Sequence, residues 1–164
     1  MIKINGYTFG SESFSNGEVS YKPFKVDDVN QIDLMFQSNK DITDLLFAVE
    51  YIKSINPNAK NNLYMLYVPY GRMDRPIDGY IFSLKMFANI INRCNFFRIY
   101  TLDNHSPHIT DLINNVEELD LNPYVDEILK KHFDADVIFF PDEGAMKRYP
   151  KILNCIKERK MPYI

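Results

Sequence analysis

The sequence predicts an α/β protein built on a parallel sheet. Two observations carry that expectation. First, Leu63 to His105 reads as an apolar run, a charged Pro/Gly turn, a helix-period segment and a second apolar run ending in Asp103-Asn104-His105. That is a strand–loop–helix–strand unit, and strands joined through a helix lie parallel. Second, an earlier helix-period stripe stands between the apolar runs Ile32–Phe36 and Leu63–Val68, so the unit repeats. Parallel strands place the loops Gly71–Asp78 and Asp103–His108 at one carboxyl edge, where open α/β sheets bind ligands.

The elements follow in order. Asn5-Gly6, between Ile2–Ile4 and Tyr7–Phe9, is a two-residue hairpin signal. Asn16-Gly17 makes a second turn leading into an alternating strand at Val19 and Tyr21. Ile32–Phe36 is a short, central strand. Asn39-Lys40-Asp41 caps a helix, whose stripe is Ile42, Leu45, Leu46, Val49 and Ile52. Asn56-Pro57-Asn58 ends it. Leu63–Val68 is the next strand. Leu84, Phe87, Ala88 and Ile91 define a helix over 83–93, and Phe96–Leu102 the strand after it.

Beyond Pro107 the pattern weakens. Ile109–Ile113 reads as one helical turn. Pro123 suits the first turn of a helix over Tyr124–Phe133, with Val125, Ile128 and Leu129 facing inward. Val137–Phe140 is a buried strand ending in Pro141-Asp142-Glu143-Gly144, and a last helix covers about Tyr149–Glu158. The final residues, Met161 to Ile164, read as the entrance to a further strand, so the chain is expected to be part of a longer fold.

Composition narrows the partners. A hydrophobic share of 46%, with 14% aromatic, supplies a core. A net charge of −3 argues against wholesale binding to nucleic acid or an acidic membrane. Cys94 and Cys155 both fall in helix-period segments and read as reduced core thiols. No apolar run reaches membrane-spanning length.

Three strand-end loops carry chemistry. Gly71-Arg72-Met73-Asp74-Arg75 sets two guanidinium forks around one carboxylate, suited to phosphate. A plain Arg–Asp surface network is the competing reading. Asp103-Asn104-His105-Ser106-Pro107-His108 offers one carboxylate and two imidazoles for a divalent metal or a phosphate. Pro141-Asp142-Glu143-Gly144 adds paired acids before a glycine. No G-x-x-x-x-G-K-[ST] or G-x-G-x-x-G motif is present.

Four segments, in order and at fitting distances, resemble one family, the ribose-phosphate pyrophosphokinases (phosphoribosyl pyrophosphate synthetases). Phe14-Ser15-Asn16-Gly17-Glu18-Val19 resembles the family's F-[SP]-D-G-E motif. Pro69-Tyr70-Gly71-Arg72-Met73-Asp74-Arg75 resembles P-Y-x-R-Q-D-R. Thr101-Leu102-Asp103-Asn104-His105-Ser106 resembles T-V-D-L-H-[AS], and Val137–Gly144 resembles V-V-x-x-P-D-x-G. Asn16 stands where the family has aspartate and Met73 where it has glutamine. The resemblance covers nearly the whole chain and about the first half of a family member.

The resemblance implies a type I phosphoribosyltransferase-like (Rossmann-like) three-layer α/β fold, with a first domain over 1–122 and the start of a second, incomplete one over 123–164. It implies a cytoplasmic diphosphotransferase that moves diphosphate from ATP to ribose 5-phosphate with Mg²⁺. Arg72, Met73, Asp74 and Arg75 would line the nucleotide. Asn16 and Glu18 would reach the ATP of a neighbouring subunit, which makes a homo-oligomer the expected partner state. Asp103, His105 and Asp142 would attend the magnesium, with His105 also catalytic. The ribose-phosphate-binding half is expected to be missing from these residues. A non-catalytic synthetase-like subunit and a related phosphoribosyltransferase are the alternatives.

Overall fold

The computed structural model describes residues 1–131 and, beyond them, 139, 140, 146 and 149. The described elements run β1 (Ile2–Ile4), β2 (Tyr7–Phe9), β3 (Ser11–Ser13), β4 (Val19–Tyr21), β5 (Val29–Leu34), α1 (Asn39–Ile55), β6 (Lys60–Tyr64), α2 (Ser83–Cys94), β7 (Arg98–Leu102), α3 (His108–Leu112), β8 (Val116–Leu119) and α4 (Asn122–Lys131). The chain divides into two units between Leu119 and Asp120.

In the first unit a six-stranded sheet has the order β2-β1-β5-β6-β7-β8, and β3 with β4 forms a separate ribbon. β1 pairs antiparallel with β2 and β5; β5 through β8 are mutually parallel. The fold class is therefore α/β with a mainly parallel sheet, as expected. Asn5 and Gly6 both take positive φ, 51° and 86°, the geometry a two-residue hairpin needs.

One core binds these elements. Ile2, Ile4, Ile32, Leu34, Leu63 and Ile99 project from one sheet face and meet Leu45, Val49 and Ile52 of α1 and Leu84, Phe87 and Ile91 of α2. Burying such side chains stabilises the fold by about 1.5–3 kcal/mol each. Polar groups penetrate this slab at one place. Asn30 and Asn61 are buried and face each other across β5 and β6, joined by an amide hydrogen bond of 3.1 Å. Asn5 donates to Asp27 and to Asn30, both at 3.1 Å, which locks the first hairpin onto the network.

Several boundaries differ from expectation for physical reasons. β5 starts earlier, at Val29, and ends at Leu34. β6 covers Lys60–Tyr64 and not Leu63–Val68. Its first residues are polar because Asn61 is satisfied by Asn30, and the apolar run outlasts the ladder, with Met65 and Val68 buried from a loop. The α1 N-cap is Ser38, one residue before the expected cluster. Asp41 does take part, accepting from the amides of Gln37 at 2.7 Å and Ser38 at 2.9 Å. β3 and β8 were not foreseen.

In the second unit α4 buries Val125, but Ile128 is 58% exposed, against the expected inward face. Phe139 is exposed and Phe140 buried, so only the first fits the expectation of two exposed aromatics. The remainder of the expected strand at 137–138, the Pro141–Gly144 loop, the last helix and Cys155 lie outside the described residues. Cys94 is buried in α2, and burial pushes its thiol above the ordinary range, an inert core position. Among the described residues no helix is long and apolar enough to cross a membrane.

Candidate functional site

Two loops leave neighbouring parallel strands at the carboxyl edge: 65–82 after β6 and 103–107 after β7. They touch. Gly71 is buried, and a Cβ placed on it would lie 3.3 Å from the Val68 carbonyl oxygen, 3.5 Å from Ile109 and 3.7 Å from the His105 Cβ. Only a residue without a side chain fits there with ease. The arginine-bearing loop and the Asp/His loop are thereby held side by side.

The first loop is pinned by its neighbours. Tyr70 adopts φ 63°, uncommon for a bulky residue. Its hydroxyl donates to the Asn39 side chain at 2.6 Å, and its ring lies against Phe87, centroids 5.4 Å apart, and Phe36, 6.2 Å apart. These contacts offset a conformation that costs about 1 kcal/mol. After Tyr70 the chain turns, with Met73 N–H bonded to the Tyr70 carbonyl at 3.0 Å. Arg72 and Arg75 emerge exposed; Met73 and Asp74 are half-buried. Among the described residues neither arginine forms an ion pair, so the Arg–Asp surface network is not made here.

The second loop alternates. Asn104 and Ser106 are buried; Asp103 and His105 are exposed. Asn104 N–H donates to Glu118 Oε1 at 2.8 Å and its amide donates to Thr101 Oγ1 at 3.1 Å. Its Oδ1 is buried without a hydrogen-bond partner among the described residues. Ser106 Oγ accepts from His108 N–H at 3.2 Å at the start of α3. Asp103 has φ 48°, a left-handed conformation that aspartate tolerates better than most residues. The buried pair thus anchors the loop while its neighbours face outward.

Asn16 and Glu18 sit apart, at the exposed tip of the β3–β4 ribbon. They bond to each other: Asn16 Nδ2 donates to Glu18 Oε2 at 2.8 Å, and Glu18 N–H donates to Asn16 Oδ1 at 3.1 Å. Among the described residues no hydrogen bond joins them to Arg72–Arg75 or His105. The base of the ribbon is anchored to α1. Tyr21 donates to Asp44 at 2.7 Å, Lys40 bridges Asp44 at 2.6 Å and Ser11 at 2.7 Å, and the Tyr21 ring stacks between Phe9 and Phe47.

Asp142 lies outside the described residues. Among those described, no three His, Cys, Asp or Glu side chains gather as a metal site. Asp103 and His105 supply one carboxylate and one imidazole, a donor pair that suits a magnesium ion carried by phosphate oxygens and water better than an all-protein cage. The largest hollow is elsewhere: 690 Å³ between the first hairpin and the ribbon, lined by Tyr7, Phe9, Lys22, Phe24, Lys25 and Asp27, with none of the candidate residues. Sequence reasoning missed Glu118 and the closeness of Gly71 to His105. The first carries no local motif, and the second joins residues far apart in the chain.

Comparison with known proteins agrees with this arrangement. The chain is 30% identical over 128 residues to the ribose-phosphate pyrophosphokinase of Bacillus subtilis, covering 73% of this chain and 38% of the relative. It is 27% identical over 156 residues to that of Bacillus caldolyticus, covering 88% and 48%, and 27% identical over 125 residues to that of Aquifex aeolicus, covering 71% and 38%. Each match thus spans less than half of the relative's length. No family model matches the chain. The crystal structure of phosphoribosylpyrophosphate synthetase from Mycobacterium smegmatis shares the fold, with a TM-score of 0.75 at 18% identity over 95% of this chain and 54% of that one. Sequence and fold together place this chain in the ribose-phosphate pyrophosphokinase family, as a stretch covering part of a relative's length.

Proposed function

We propose that this chain is the nucleotide-binding part of a cytoplasmic diphosphotransferase, acting on ATP and ribose 5-phosphate with Mg²⁺. One observation carries the reading: Gly71 lets an arginine loop and an Asp/His loop meet at the carboxyl edge of parallel strands. Phosphoryl-group transfer needs positioning and charge neutralisation above all. Exposed Arg72 and Arg75 would clamp the phosphates, with Met73 and Asp74 flanking them. Asp103, His105 and Asp142 would orient the magnesium, and His105 would face the transferred group. Asn16 and Glu18 would complete the nucleotide site of a neighbouring subunit in a homo-oligomer. The bound Mg²⁺ would supply charge neutralisation at the diphosphate.

Titration calorimetry with Mg-ATP tests this. Arg72→Ala is expected to weaken binding roughly tenfold or more, the worth of a charge-assisted hydrogen bond of about 1.5–3 kcal/mol. Equal affinity in the two proteins would remove Arg72 from the site.

A second reading is a non-catalytic synthetase-like subunit. The Asn16–Glu18 pair favours it, because each side chain already satisfies the other at the ribbon tip. Mg-ATP binding without turnover in the presence of ribose 5-phosphate would select it over the first.

A further inference from the structure

The sheet has two faces, and the core uses one. Alternation places Lys3, Asp33, Tyr64, Tyr100 and Glu117 on the other. The registers make these five a single row across β1, β5, β6, β7 and β8: Lys3 opposite Asp33, Asp33 opposite Tyr64, Tyr64 opposite Tyr100, and Tyr100 opposite Glu117. At roughly 4.8 Å between strands the row is about 19 Å wide. Tyr64 and Tyr100 stack at its centre, centroids 4.5 Å apart. Arg98, two residues before Tyr100 on the same face, pairs with Glu117 at 2.7 Å. Along the edge beside β6 a groove of 520 Å³ is lined by Lys3, Asp33, Met35, Tyr64, Leu66 and Tyr67, of which Met35, Leu66 and Tyr67 are about half exposed. None of these side chains belongs to the buried core among the described residues.

The charges on this face follow a rule. Read strand by strand they are Lys3 positive, Asp33 negative, Tyr64 neutral, Arg98 positive and Glu117 negative. Turned about the middle strand, every positive strand falls on a negative one and Tyr64 falls on itself. A two-fold axis laid across the strands would instead set Lys3 on Lys3 and Glu117 on Glu117, which is repulsive. The face is thus self-complementary in one orientation only, the property an isologous interface requires.

We propose that a second copy of this chain packs on the second face of the six-stranded sheet, with the two-fold axis running along β6. The Tyr64 rings of the two copies meet on the axis. Lys3 of each copy faces Glu117 of the other, and Arg98 reaches toward Asp33. Two twisted sheets stack face to face in this way about 10 Å apart. This inference goes beyond the nucleotide reading and stands without it.

Sedimentation of the full 164-residue chain over a wide concentration range tests the proposal. A reversible dimer is expected. Tyr64→Arg sets two like charges on the axis and is expected to leave a monomer with an unchanged thermal melt. Lys3→Glu and Glu117→Lys, taken singly, are expected to weaken the dimer roughly tenfold or more by facing like charges. The two together are expected to recover most of the loss, because opposite charges meet again between copies. A Tyr64→Cys chain is expected to form a disulfide-linked dimer under mild oxidation where the parent does not. A parent chain that stays monomeric at all concentrations would overturn the proposal and assign the face to another occupant. So would a dimer indifferent to Tyr64→Arg and to the charge exchange.

Discussion

Gly71 and His105 stand so close that a methyl group on the first would lie 3.7 Å from the Cβ of the second. The tighter constraint is the Val68 carbonyl oxygen at 3.3 Å, a backbone atom with little room to yield. Gly71→Ala is expected to cost about 1–3 kcal/mol, the range for overpacking a filled site, and Gly71→Val more. Urea unfolding measures the cost. If the two loops form one site, Gly71→Ala also weakens Mg-ATP binding in calorimetry. A substitution neutral in both measurements would mean that the loops are not held by this contact.

The ribbon carrying Asn16 and Glu18 depends on the buried carboxylate of Asp44. Burial, then the hydrogen bond to Asp44, raises the Tyr21 hydroxyl well above its ordinary value of 10.0. A group whose folded pKa is raised contributes stability below its unfolded pKa and loses it as pH rises. The Tyr21 contribution is therefore complete at neutral pH and fades only above about pH 10. Tyr21→Phe is expected to remove about 1.5–3 kcal/mol at neutral pH, a hydrogen bond to a charged group. It is also expected to flatten the loss of stability at high pH. Identical alkaline unfolding curves for parent and variant would refute the assignment.

At the start of α1 the sign is opposite. Burial of Asp41 disfavours its charge. The N-terminal ammonium and the amides of Gln37 and Ser38 outweigh that, and hold the carboxyl below the usual carboxylate range of about 3.8. A depressed pKa contributes stability above the unfolded value and loses it as pH falls through the folded one. Acid unfolding below about pH 4 is thus expected to draw on Asp41. Asp41→Asn is expected to cost about 1–2 kcal/mol near neutral pH, the scale of a lost cap, and less in acid. A cost independent of pH would show that the charge is not used.

Legibility followed the physics of each element. α1 and α2 were readable because Ile42, Leu45, Val49 and Ile52, and Leu84, Phe87, Ala88 and Ile91, repeat at the helical period and all point into one core. The Asn5-Gly6 hairpin was readable because its turn needs two positive φ angles. β8 was hidden: two of its four residues are glutamates, one paired with Arg98 and one binding the Asn104 amide, so its signal is electrostatic and not hydrophobic. β6 was displaced because the burial of Asn61 rests on a partner thirty-one residues away. The loops of the candidate site could be placed at the carboxyl edge from the strand–helix–strand pattern alone. Their contact could not, since nothing local in Gly71 announces His105.

The paired amides of Asn30 and Asn61 have a further bearing on how the sheet assembles. Parallel strands that slid by two residues would keep every apolar side chain on its proper face, and greasy neighbours would accept the new alignment with little protest. Amides buried without a partner would not, at roughly 1–3 kcal/mol for each group left unsatisfied. The two asparagines therefore act as a proofreader between β5 and β6. They reject the near-miss pairing that shape alone would let pass, and so fix where the β6 loop begins.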